Sequence, residues 1–308
     1  MWQQYTFRSS VGSRPYFVYT PSSYSVGTAV PLFVLLHGCT QTADDFAAAT
    51  QMNLLAEEYG FIVVYPQQTN NYNQGLCWNW FTPPNQSRNS GEPAAIAGIV
   101  QTITQTTSLW AIDARRIYIA GLSAGGTMAA IMGATYPDLF AAVGAHSALE
   151  YQAATSLRDG YKAMRQGGPD PVQQGQAAYK AMGRFARVVP TIVFHGTNDP
   201  VVSPINGDQL VRQWMQTDHL ASYGTYNAYF NRPTSVTPMQ VPGGHASKVY
   251  AWNDNGGNAV QEYWRINNMG HAWSGGSPSG SYTDSRGPSA SEAMYAFFMS
   301  HSNKGLGG

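Results

Sequence analysis

Short apolar runs recur along this chain, separated by polar segments marked with glycine and proline. Leu32–Leu36, Phe61–Tyr65, Ile117–Ala120, Phe140–Ala145 and Val188–Phe194 are continuous rather than alternating. That is the pattern of strands covered on both faces, as in a parallel sheet. Helical patterns lie between them. One is predicted from Thr42, which forms a capping box with Asp45, to Tyr59, with Gly60 as its stop. A second covers Glu92–Ser108, capped by Ser90 and carrying Pro93 in its first turn. A third covers Gly207–Thr217. Pro288 opens the last, whose Ala290, Ala293, Met294, Phe297 and Phe298 share one stripe.

Residues 3–9 and Tyr16–Thr20 read as early strands about a turn at Gly12, the second ended by Pro21. Asp113 begins the turn into the Ile117 strand. Residues 245–253 and 259–266 flank Asp254-Asn255-Gly256-Gly257, a hairpin signal. Strands alternating with helices predict an α/β fold, a mostly parallel central sheet with helices on both faces. One domain over residues 1–308 is expected, with no separate binding domain. Residues 67–91 form a long polar loop of the functional kind. Residues 146–187 are weakly helical, broken by Gly167-Gly168-Pro169, and are expected as a lid-like insertion.

Composition narrows the partners. Lys+Arg and Asp+Glu are 17 each, and charged residues make up only 11%. No basic field exists to attract nucleic acid or an anionic membrane. No apolar run approaches a membrane span, and MWQQYTFRSS lacks the basic and apolar regions of a signal peptide. The chain is rich in aromatic rings, with 19 tyrosines and 8 tryptophans, which serve for stacking on substrate or for core packing. Cys39 and Cys77 have no metal-ligand spacing, and no metal or cofactor is expected.

The chemistry centres on Ile117–Ala130. An apolar run meets Gly121-Leu122-Ser123-Ala124-Gly125, a G-x-S-x-G pattern, and a small-residue helix follows. Strand, sharp turn and helix make a nucleophile elbow with Ser123 at its tip. A G-S-G turn with a helix-capping serine would read the same locally. A serine nucleophile needs a base, and the base needs an acid to fix its tautomer. Asp199, just beyond the Val188–Phe194 strand, is the expected acid. His271, in Met269-Gly270-His271-Ala272-Trp273, is the expected base, giving the chain order Ser, acid, His. His245 in Gly243-Gly244-His245 is the rival, although it precedes a strand rather than following one. Backbone N–H groups of Ala124 and Cys39 are the expected oxyanion donors. The two cysteines either tether the Cys39 loop through a disulfide or are free buried thiols.

HGCTQTADDF (37–46), CWNWF (77–81), GLSAGG (121–126), HGTNDPVV (195–202) and GHAWSGG (270–276) resemble the secreted poly(3-hydroxybutyrate) depolymerases, a family similar to the feruloyl and acetylxylan esterases of carbohydrate esterase family 1. The likeness runs from about Pro15 to Phe298. It implies an α/β-hydrolase fold, a Ser123–Asp199–His271 triad, a Cys39–Cys77 pairing and an extracellular or periplasmic location. Cleavage of short-chain hydroxyalkanoate polyester or oligomers is then expected, with feruloyl or acetyl esters of plant polysaccharide as the alternative substrate. A non-catalytic glycan- or polymer-binding protein, and a peptidase, are the competing classes. Trp78, Trp80 and Trp273 are expected to line the substrate groove. Family members of this kind usually carry a polymer-binding domain, and without one little attack on crystalline polymer is expected.

Overall fold

A computed structural model describes residues 1–303. The centre of the molecule is a ten-stranded sheet in the order β1-β2-β4-β3-β5-β6-β7-β10-β9-β8. Its parallel middle comprises β4 (Ile62–Pro66), β3 (Val30–Leu36), β5 (Ile112–Leu122), β6 (Ala142–His146), β7 (Thr191–Gly196) and β10 (Ala259–Ile266). Antiparallel strands finish each edge: β1 (Trp2–Ser9) with β2 (Gly12–Tyr19) on one side, and β9 (Ala246–Asn253) with β8 (Ser235–Gln240) on the other.

The continuous apolar runs are the parallel strands because both faces are covered. On β3, Leu32, Val34 and Leu36 enter the core under α3 (Gly91–Gln105), α4 (Ala124–Thr135), α6 (Pro171–Met182) and α7 (Ile205–Ala221). Phe33 and Leu35 alternate onto the opposite face, beneath α1 (Ala43–Thr50), α2 (Met52–Tyr59) and α8 (Ala290–Met299). The chain leaves β3 on one face and re-enters through α3 on the other. The carboxyl ends of β3 and β5 therefore flank a topological switch point, where open α/β sheets place their ligands.

Several sequence expectations shift. The single helix from Thr42 to Tyr59 is two helices. Thr42 Oγ1 accepts the Asp45 N–H as expected, but Gln51 adopts a left-handed φ of 54° and separates α1 from α2. The Thr50 hydroxyl bonds the Phe46 carbonyl, which helps the chain stop there. Ser90 occupies the N-cap of α3 without a side-chain bond; Asn85 Oδ1 accepts the Glu92 N–H instead, and the helix ends at Gln105 rather than Ser108. Asp113 lies inside β5, in a stretch whose register against β3 is irregular, and its carboxylate accepts the Arg115 N–H. β8 was not expected: it is exposed throughout, contains Pro238 and lies at the sheet edge, so it buries no apolar run to announce it.

The expected lid-like segment is built into the body. α5 (Leu157–Gln166) and α6 follow one another there, with Ala163, Ala178 and Met182 buried. Gly175 lies so close to α7 that a Cβ there would strike Gln216, and its carbonyl accepts the Thr217 hydroxyl. The segment is thus packed on α7.

Candidate active site

Ser123 sits where β5 turns into α4, at φ 57° and ψ −119°, a backbone conformation that side chains rarely adopt. Its N–H is held by the His146 carbonyl of the neighbouring strand. Two glycines make the turn possible. A Cβ on Gly121 would run into the Gly125 backbone, and one on Gly125 into the Leu36 and His37 carbonyls. The elbow is therefore compressed against the end of β3, and Ser123 remains partly accessible.

Asp199 follows β7 and His271 follows β10, so both stand at the same end of the sheet as Ser123. His271 Nδ1 lies 2.8 Å from Asp199 Oδ2. The other carboxylate oxygen accepts the N–H groups of Val201 and Val202, each at 2.9 Å. Burial opposes ionisation of Asp199, but the His271 bond, the nearby imidazoles and the Val202 N–H hold its carboxyl below the ordinary value. The acid is thus fixed as a carboxylate, and His271 presents Nδ1–H to it while Nε2 stays available to accept a proton.

The other histidines near this end of the sheet are committed elsewhere. His37 donates Nδ1–H to the Gly38 carbonyl and accepts the Gln68 N–H on Nε2; burial pushes its pKa down to about 4. His146 accepts the Ser274 N–H on Nε2 and faces the Ser147 hydroxyl through Nδ1, and burial holds it neutral. His195 donates to the Val202 carbonyl, with its Nε2 also 3.6 Å from Asp199 Oδ2, and burial lowers its pKa as well. His245, the sequence rival, pairs with Asp284 at 2.8 Å, away from the elbow.

The loop after β3 and the start of α4 carry the two N–H groups expected to face an oxyanion. Among the described residues, the N–H groups of Cys39 and Ala124 have no acceptor within the protein. The bond from His37 to the Gly38 carbonyl matters here. In a trans peptide the carbonyl and the following N–H point in opposite directions, so gripping Gly38 O fixes the direction of the Cys39 N–H. Cys39 and Cys77 form a disulfide with 4.2 Å between their Cα atoms, and Thr40 N–H bonds the Gly75 carbonyl at 2.7 Å. Beneath them, buried Glu92 takes the Asn79 N–H and the side-chain amides of Asn79 and Gln68, tying the long loop in place.

The three tryptophans do not line a groove. Trp78 and Trp273 are wholly buried and Trp80 nearly so. Trp273 packs edge-on against Phe46, stacks on His146 and donates its indole N–H to Ser291. Its place two residues beyond His271 makes it a prop for that loop. Sequence spacing could not reveal the burial of these three rings. Tyr282, which the sequence reading passed over, is 45% exposed and lies edge-on to the His271 ring at 6.4 Å. Its one signal was being the sole aromatic in the Gly/Ser-rich stretch between Trp273 and the last helix.

Among the described residues no group of side chains could hold a metal ion, and no helix is long and apolar enough to cross a membrane.

The geometry agrees with comparisons to known proteins. Residues 14–232 match the family model described as Esterase PHB depolymerase. The chain is 32% identical over 267 residues to poly(3-hydroxyalkanoate) depolymerase C of Paucimonas lemoignei, covering 86% of this chain and 60% of that protein. It is 29% identical over 231 residues to feruloyl esterase B of Neurospora crassa, covering 73% and 75% respectively. Among solved structures, an acetyl xylan esterase from Aspergillus awamori superposes with a TM-score of 0.75 at 20% identity, over 97% of this chain and 99% of that one. The fold is of the α/β-hydrolase type, and the chain belongs to the Esterase PHB depolymerase family.

Proposed function

We propose that this chain is a serine esterase that cleaves carboxylic esters through an acyl-enzyme. The observation that carries the reading is the 2.8 Å contact of His271 Nδ1 with a backbone-anchored Asp199, at the sheet end that also bears the strained Ser123 elbow. Ser123 Oγ attacks the ester carbonyl while its proton passes to His271 Nε2, and Asp199 stabilises the imidazolium. The carbonyl oxygen gains negative charge against the Cys39 and Ala124 N–H groups. The C–O bond then breaks, and His271 returns the proton to the departing alkoxide. Water repeats the sequence on the acyl-enzyme, releasing the acid and restoring Ser123. Each group acts without a cofactor.

The substrate we favour is a short-chain hydroxyalkanoate polyester or its oligomers. Similarity to the Paucimonas depolymerase supports this. So do the exposed apolar side chains of Leu157 and Tyr161 on α5, of Val201 just after Asp199, and of Ile205 at the start of α7, which offer a polyester an apolar surface. Feruloyl or acetyl esters on plant polysaccharide are the second reading, supported by the similarity to feruloyl esterase B and to the Aspergillus fold. The disulfide fits an oxidising compartment outside the cytosol. A hydrolysis panel of p-nitrophenyl acetate to octanoate, methyl ferulate, acetylxylan and amorphous polyhydroxybutyrate, run beside Ser123→Ala, tests both levels. Turnover of none by the wild type defeats the esterase reading. A higher kcat/KM on methyl ferulate than on hydroxybutyrate oligomers reverses the choice of substrate.

A further inference from the structure

We infer that Tyr282 forms the wall of the leaving-alcohol subsite and selects esters of branched or cyclic secondary alcohols; this rests on the triad reading above. The phenol spans the site from the base to the oxyanion loop. Its ring stands edge-on to the His271 imidazole at 6.4 Å, and its hydroxyl lies 3.1 Å from Thr40 Oγ1, directly after the oxyanion donor Cys39. The direction of that hydrogen bond follows from proton counting. Thr40 Oγ1 is 2.6 Å from the Cys39 carbonyl, which can only accept, so the threonine proton is spent there. Tyr282 therefore donates its O–H to Thr40, and the bond fixes the ring in place.

The backbone reinforces this placement. Tyr282 has a left-handed φ of 51° and Thr40 one of 65°, unusual for residues of their bulk. The Tyr282 carbonyl accepts the Trp273 N–H at 2.7 Å, at the head of the small ladder in which β11 (Trp273–Ser274) pairs with β12 (Thr283–Asp284). Buried Gln41 bridges the same two loops, accepting the Gly38 N–H on Oε1 at 2.8 Å and donating from Nε2 to the Ser281 carbonyl at 3.0 Å. Asp45 takes the Ser281 N–H at 2.9 Å and also its hydroxyl. These contacts secure the backbone around Tyr282, yet the residue remains 45% exposed. A ring held this firmly and left uncovered beside the base is placed to touch what the base protonates.

That group is the departing alkoxide, since His271 returns the proton to the ester oxygen on the alcohol side. A secondary alcohol carries carbon on both sides of that oxygen-bearing atom and presents bulk to a flanking ring, whereas ethanol reaches little of it. The alcohol has left before water enters, so its subsite bears on acylation and not on deacylation.

Tyr282→Ala and Tyr282→Phe, assayed on ethyl and cyclohexyl acetate, separate these steps because both esters give the same acetyl-enzyme. The alanine variant should raise KM for cyclohexyl acetate about tenfold and for ethyl acetate by less than about twofold, the scale of a lost aromatic contact. Its loss should be confined to acylation, with the acetyl-enzyme, followed after a burst with p-nitrophenyl acetate, decaying at close to the wild-type rate. Tyr282→Phe keeps the ring and should restore most of the cyclohexyl KM. Equal losses on both esters together with slower deacylation would show a brace for His271 rather than a subsite. Unchanged KM on both esters, or a phenylalanine variant as impaired as alanine, would also overturn the proposal. Titration with a fluorophosphonate reads the underlying assignment separately: failure to label Ser123 in the wild type would remove the triad itself, and the subsite with it.

Discussion

Among the described residues two histidine–aspartate pairs meet at the same distance, and they are built differently. His271 and Asp199 meet at 2.8 Å, as do His245 and Asp284. His271 offers its carboxylate the nitrogen nearer its own backbone, Nδ1, and keeps the outer Nε2 free. His245 spends Nε2 on Asp284 and is left with the inner nitrogen. The acids differ too. Asp199 is closed off from solvent and also held by the Val201 and Val202 N–H groups, whereas Asp284 is partly open and shared with Arg286. A His–Asp contact is therefore not a signature of a base. What differs is which nitrogen remains and how firmly the acid is held.

Four experiments can break or sharpen this contrast. The largest effect is expected for the nucleophile and the base: Ser123→Ala and His271→Ala should each lower kcat by about five or more powers of ten, and the double variant by little more. His245→Ala should retain most of the wild-type kcat, so a reversal of the two histidines in steady-state assays would transfer the base to His245. The acids come next. Asp199→Asn should cost about four powers of ten by forcing the wrong tautomer on His271, whereas Asp284→Asn should cost less than about one. Near-equal losses would remove the distinction between the pairs.

Trp273→Ala probes the prop beneath the active pair. Removal of a buried indole should destabilise the fold by about 3–5 kcal/mol in denaturant titration. The remaining activity should fall equally on p-nitrophenyl acetate and on oligomers, because the ring lies out of reach of either. A loss confined to large substrates would put the ring back into the groove. The smallest effect is a pH dependence. Burial works against the Asp284 charge, but the bonds from His245 and Arg286 outweigh it and hold the carboxyl below its ordinary value. The stability it contributes is present above the unfolded carboxylate pKa, about 4, and is lost as pH falls through the lower folded value. Asp284→Asn should flatten the acid limb of the unfolding curve by about 1 kcal/mol or less. An unchanged limb would show that the second pair contributes nothing to stability.

The strands were legible because a segment covered on both faces must be apolar at every position, as Leu32–Leu36 and Phe61–Tyr65 are. The elbow was legible because α4 lies too close to β5 for a side chain at 121 and too close to the end of β3 for one at 125. Other features depend on contacts distant in the chain. Gln51 breaks a helix that its neighbours favour, and β8 has no buried face to mark it. Trp78 and Trp273 read as binding rings since composition does not distinguish a ring facing solvent from one facing Phe46 or His37. Tyr282 was missed for the opposite reason: it lies in a loop whose placement is decided by Gln41 and Asp45, more than two hundred residues earlier.

The position of β10 also bears on how the enzyme comes into being. It lies between β7 and the β9–β8 edge, and His271 stands in the loop after its end. A chain emerging from the ribosome acquires Ser123 and Asp199 well before the strand that delivers His271. Pairing across such a sequence separation is slow compared with local helix formation. Recovery of ester turnover during refolding should therefore lag the return of helical circular dichroism, and simultaneous recovery would show that this strand docks early.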